Sequence, residues 1–182
     1  DGHTSNAYFH WKTIFTNRRV VVGLVPGILI MGASESLSVV FAAWLEGSFG
    51  LALTGLGLAM GIIGAAELLG EGGVMMLSDR LGKRRTIALG IGMSTVAYLA
   101  LPAFGTTLAG SLLGLFLVYF AFEFAIVATL PFITELMPLA RPSVMSANIA
   151  GQSLGRMLGA LLGGALLPLG IGTSGIAAAG IN

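Results

Sequence analysis

Four carboxylates and one guanidinium, those of Glu35, Glu67, Glu71, Glu123 and Arg156, interrupt long apolar runs in this 182-residue chain. Carboxyl groups take up and release protons, and a guanidinium pairs with carboxylates or other anions. Glu67 and Glu71 are one helical turn apart and share a face with Gly64. Asn148, Gln152 and Arg156 form a second polar stripe at four-residue spacing. Glu123 stands among Tyr119, Phe120, Phe122 and Phe124, which makes it the clearest candidate for a proton carrier. The pattern points to proton exchange at Glu123 or Glu67, with Arg156 as counter-ion and a bound solute competing for the same charges. The other reading is a fixed interhelical ion pair or hydrogen-bonded network, because polar side chains also join helices.

The elements that must carry these groups follow from composition. Hydrophobic residues are 55% and charged residues 9% of the chain, and the mean hydropathy is +0.93. A soluble domain carries roughly 25% charged residues to solvate its surface, so lipid is the expected solvent. Strand-period alternation is absent, which argues against a β-barrel and for an all-α membrane protein, a polytopic helical bundle. A spanning helix needs about 20 apolar residues. Such runs lie at about 20–45, 52–78, 86–104, 108–134 and 143–168, with a sixth begun at 171–182. In that frame Glu67, Glu123 and Arg156 fall roughly 18–20 Å from the cationic side, Glu71 about 12 Å and Glu35 about 24 Å. Each ionisable group at the bilayer centre costs about 2.5–3.5 kcal/mol on insertion scales, so a partner or a wet cavity is required.

Lysine and arginine placement sets the orientation. Lys12, Arg18 and Arg19 precede the first run, Asp79-Arg80-Leu81-Gly82-Lys83-Arg84-Arg85 follows the second, and Arg141 follows the fourth. The intervening loops near Gly47, Gly105 and Gly170 carry no cation. The cationic side is therefore expected in the cytoplasm of an inner or plasma membrane. Residues 1–19, with Tyr8, Phe9, Trp11 and Lys12, read as a cytoplasmic linker or an interfacial helix. Residues 20–182 read as the membrane unit. Isolated His3 and His10 offer no metal set, and the chain has no cysteine.

Glycine is 28 of 182 residues, and small residues let membrane helices approach closely. Gly151, Gly155, Gly159 and Gly163 recur every four residues in the fifth run, and Gly57, Gly61 and Gly64 mark the second. Either static close packing or sliding contacts would use such stripes.

The segment Leu77 to Arg85 resembles the loop signature of the major facilitator superfamily, Gly-x-Leu-x-Asp-Arg-x-Gly-Arg-Arg. Leu77, Asp79, Arg80, Gly82 and Arg84 match, Lys83 replaces an Arg, and Met75 stands at the first Gly. Gly155-x-x-x-Gly159-Ala160-x-x-Gly163-Gly164 is similar to that family's antiporter motif, with Ala160 in place of its proline. The resemblance implies one six-helix half of a major-facilitator fold, a 3+3 inverted repeat with its last helix truncated. The linker-like start, and the lack of an arginine early in the fourth run, favour the C-terminal half. The antiporter-like glycines belong more often to N-terminal halves.

The resemblance also implies a gating loop. Asp79 would latch onto a helix N-terminus of the other half, supported by Arg80, Gly82, Lys83 and Arg84. The plainer alternative is a loop that only sets topology. The implied partners are the lipid bilayer, the other six-helix half (from the same gene or a second chain) and a small-molecule substrate. The implied activity is proton-coupled export of small organic molecules by alternating access. A transport-inactive scaffold or assembly subunit is the alternative. Enzyme chemistry, a cofactor site and nucleic-acid binding have no support in the residues. Gly70-x-Gly72-Gly73 follows no strand and is no nucleotide loop.

Overall fold

Apolar runs of this length can satisfy their backbone groups in lipid only as helices or closed barrels, and this chain uses helices. The structure is a computed structural model and describes residues 14–182. His3, His10, Lys12 and most of the aromatic leading segment lie outside the described residues. The elements are α1 (Arg18–Ser38), α2 (Phe41–Phe49), α3 (Leu53–Leu81), α4 (Lys83–Phe104), α5 (Leu108–Leu136), α6 (Arg141–Leu166) and α7 (Ile171–Ile181). Short 3₁₀ turns at Pro138–Ala140 and Leu167–Leu169 flank α6, and no strand occurs among the described residues. The chain is an all-α membrane bundle.

Several boundaries differ from the sequence reading. Arg18 and Arg19 belong to α1 rather than to a linker, because Asn17 caps the helix with its side-chain oxygen on the Arg19 N–H at 3.0 Å. The first apolar run is not one helix. It breaks at Val39–Val40, where the Val40 N–H bonds Leu37 O at 3.0 Å instead of keeping the α register. Ser36 and Ser38, just before the break, bond back to the carbonyls of Ala33 and Ser34, a habit that bends helices.

Among the described residues four stretches are long and apolar enough to cross a membrane: Arg18–Phe49, Leu53–Leu81, Lys83–Phe104 and Leu108–Leu136. α6 is long enough, at 26 residues, but Asn148, Gln152, Arg156 and its serines lower its hydropathy below that of the other four.

α1 packs most extensively on α6, α5 receives both α3 and α4, and α7 lies against α4 and α1. The main core holds Ile30, Leu37, Leu45, Tyr98, Leu101, Leu115 and Val118. A second cluster, Val20, Leu24, Ile133, Val144 and Ala147, ties α1, α5 and α6 together near the arginine-bearing ends. On the outside, α3 exposes Leu58, Leu68, Leu69, Met75 and Met76. That surface suits acyl chains, not water.

Candidate functional site

The contact between α1 and α6 is set by glycine. A methyl group added at Gly155, Gly159 or Gly163 would overlap the carbonyl oxygens of Ile28, Gly32 and Ser36 respectively. Three successive turns of α6 thus ride directly on three successive turns of α1. Gly151 continues the row against the Ile28 side chain. The stripe on α3 behaves differently, for added methyls at Gly57, Gly61 and Gly64 meet nothing within 4 Å.

α3 reaches α5 through other glycines. A Cβ at Gly70 would lie 2.6 Å from Phe120 O and 3.1 Å from the Glu123 Cβ, and one at Gly73 would lie 3.3 Å from the Phe124 ring. Gly70 is one turn beyond Glu67 on the same face. The close approach at Gly70 therefore sets Glu67 beside Glu123.

The result is an open concavity of about 370 Å³ between α1, α3, α5 and α6. Glu67, Glu123, Gln152 and Arg156 supply its polar wall, and Met31 and Phe122 are among its apolar lining. Counting from the helix ends that share Arg18, Leu81, Leu136 and Arg141, each polar contributor except Gln152 lies about 20 Å deep. Glu67 and Glu123 are half-buried, and Arg156 is exposed. Among the described residues no ion pair within 4.0 Å joins Arg156 to either carboxylate. The guanidinium faces the concavity without being neutralised there.

Glu67 and Glu71 both lie in electrostatic reach of Glu123. Glu71 itself is exposed on α3 and stands outside the lining. Glu35 is half-buried on α1, and its Cβ would be 3.0 Å from one added at Gly159. It too is outside the concavity. Asn148 is buried, and neither its amide oxygen nor its nitrogen has a partner among the described residues. It sits against Gly27, with its oxygen 3.1 Å from where a Cβ there would be, one turn from Gln152.

Two polar contacts escape a reading by sequence. Tyr119 shares a hydrogen bond of 2.8 Å with Ser38, joining α5 to α1, and it lies in electrostatic reach of Glu67 and Glu35. The spacing of Tyr119 and Glu123, one turn apart, is the only sequence signal for it. Glu135 belongs to the last turn of α5 and forms an ion pair with Lys83.

The loop signature divides accordingly. Asp79 and Arg80 are exposed at the end of α3, Lys83 turns to α5, and Arg84 faces α1 and α5. Gly82 alone connects α3 to α4. Its φ of 77° and ψ of 150° belong to a region essentially restricted to glycine. Its carbonyl accepts from the N–H and the hydroxyl of Thr86, both at 3.1 Å, which starts α4 at once.

Among curated proteins and among solved structures, none matches the chain. A family model described as Major Facilitator Superfamily matches residues 24–182, from α1 through α7 and across the loop signature and the glycine stripe. A bundle of apolar helices, a one-residue glycine elbow carrying that signature and a charged concavity at mid-depth agree with the match, and the chain belongs to the major facilitator superfamily of membrane transporters.

Proposed function

We propose that the chain is one six-helix half of a proton-coupled secondary transporter that exports small organic molecules by alternating access. The observation that carries this reading is the convergence of Glu67, Glu123 and Arg156 on one open concavity. Charged groups are retained inside a membrane where function needs them, and midplane sites between helices are where transporters bind cargo. Glu123 or Glu67 carries the proton. Arg156, unpaired with either, is available to an anionic group of the substrate or to the deprotonated carboxylate, so that proton and substrate compete.

In this reading the cationic ends face the cytoplasm, and the second half of the fold closes the open side of the concavity. Asp79, exposed and free to reach outward, serves as the latch between halves, while Lys83, paired with Glu135, anchors the loop to its own bundle.

Proton-driven flux in proteoliposomes that hold the chain together with its second half tests the reading. Glu67→Gln and Glu123→Gln are expected to uncouple flux from the proton gradient, and Arg156→Gln to weaken substrate binding. Full proton-driven flux in both carboxylate variants rejects the coupling role. A folded assembly of both halves with no flux under any gradient points instead to a scaffold.

A further inference from the structure

We propose that a second concavity, at the arginine-bearing ends of α1, α4 and α5, holds an anionic glycerophospholipid. Arg18, Arg19 and Arg84 would bind the phosphate, and one acyl chain would follow the apolar furrow below them. The groove encloses about 820 Å³. Arg18 and Arg19 are neighbours in the first turn of α1 and Arg84 comes from the first turn of α4, 65 residues on, so guanidiniums of two distant helix starts meet at one mouth. Val22, Pro26, Phe132 and Leu136 form apolar walls. The furrow continues past Ile87 and Thr129, sharing Pro26, Phe132 and Arg84 with the mouth.

Charge complementarity selects the occupant. Among the described residues none of the three arginines pairs with a carboxylate, and Glu135 is engaged by Lys83. The site therefore presents three unneutralised cations, which bind phosphate oxygens well. A free inorganic anion would satisfy the mouth but leave the apolar walls wet. A lipid satisfies both ends: its head lies at the level where each helix begins, and its tail lies where the lining becomes hydrocarbon. Basic pockets between membrane helices are suited to anionic lipid heads on this physical ground. Arg80 and Arg85 belong to the same cationic loop and are exposed, but they do not line the groove. They supply an internal control.

The test uses the chain in nanodiscs of equal phosphatidylglycerol and phosphatidylcholine, with the lipids retained on release counted by native mass spectrometry. Retention of phosphatidylglycerol over phosphatidylcholine is expected. Each of Arg18→Gln, Arg19→Gln and Arg84→Gln should lower that preference about fivefold, the equivalent of about 1 kcal/mol per arginine. Arg80→Gln and Arg85→Gln should leave it unchanged. Val22→Trp, which fills the furrow and keeps all three arginines, should also lower retention, and excess inorganic phosphate should not displace the lipid. Equal retention of the two lipids overturns the proposal. So does an equal loss in the Arg80 and Arg85 variants, which would mean surface charge alone. Displacement by phosphate, or an indifferent Val22→Trp, would reduce the site to a simple anion contact and also overturn it.

Discussion

Gly159 of α6 lies directly on the carbonyl oxygen of Gly32 in α1, with no room for a methyl group between them. Because Gly155 and Gly163 make the same contact one turn to either side, the two helices cannot separate at one point alone. Gly159→Val is expected to destabilise the bundle by about 1–3 kcal/mol or more, the usual cost of overpacking. Gly164→Ala, whose added methyl meets nothing within 4 Å, should be neutral or slightly stabilising. Thermal unfolding in detergent compares the two.

The Gly82 elbow gives a second test. Its backbone angles are available to an alanine only at a cost of order 1–3 kcal/mol. Gly82→Ala should lower stability by that amount, while Gly72→Ala, within α3 and with open space around its added methyl, should raise helix stability by up to about 1 kcal/mol. A denaturation midpoint measured for both variants checks the opposite signs.

Gly70 positions the concavity without lining it. Gly70→Val would drive α3 away from Phe120 and Glu123, separating Glu67 from Glu123. Distances between spin labels on α3 and α5 are expected to lengthen by about an ångström or more, since packed interiors yield to added volume by backbone shifts. Unchanged distances would mean that the approach of the two helices is set elsewhere.

The Lys83–Glu135 pair is a weaker element. Both side chains are substantially exposed, at 40% and 57%, and exposed pairs contribute about 0–1 kcal/mol. A double-mutant cycle with Lys83→Met and Glu135→Gln should return a coupling energy inside that range. A larger value would show that the pair orients the whole loop.

Tyr119→Phe removes the hydrogen bond to Ser38. Interhelical hydrogen bonds in membranes average about 0.6 kcal/mol, so the expected loss of stability is small. Ser38→Ala should match it, and the double variant should lose little more than either single one.

Much of this architecture was legible because the determinants are local or periodic. Apolar run length gives helices α3 and α5, the four-residue glycine period gives the α6 face that meets α1, and the spacing of Asp79, Arg80, Gly82 and Arg84 gives the loop and the family. Equal counts from the helix ends also place Glu67, Glu123 and Arg156 in one layer. What depends on azimuth was not legible. Glu71 and Glu67 share a helical face in projection, yet only Glu67 lines the concavity, because Gly70 fixes which edge of α3 meets α5. Asn148 continues the stripe of Gln152 and Arg156, but it is buried against Gly27 of α1. Glu135 and Lys83 are 52 residues apart, and nothing in either neighbourhood announces their pairing. The break at Val39–Val40 hides inside an unbroken apolar run, since valine serves helix and kink equally in a hydropathy count.

That break divides the labour of the first crossing. Below it, α1 is clamped along its length by α6, and the last clamp, Gly163, touches Ser36 and the Val39 side chain at the very edge of the discontinuity. Above it, α2 is a nine-residue stub held by its own buried Phe41 and Leu45. The stub thus docks into the main core by its own contacts rather than through α6. The direction of the chain therefore changes at the break without disturbing the seam between α1 and α6 that frames the charged chamber.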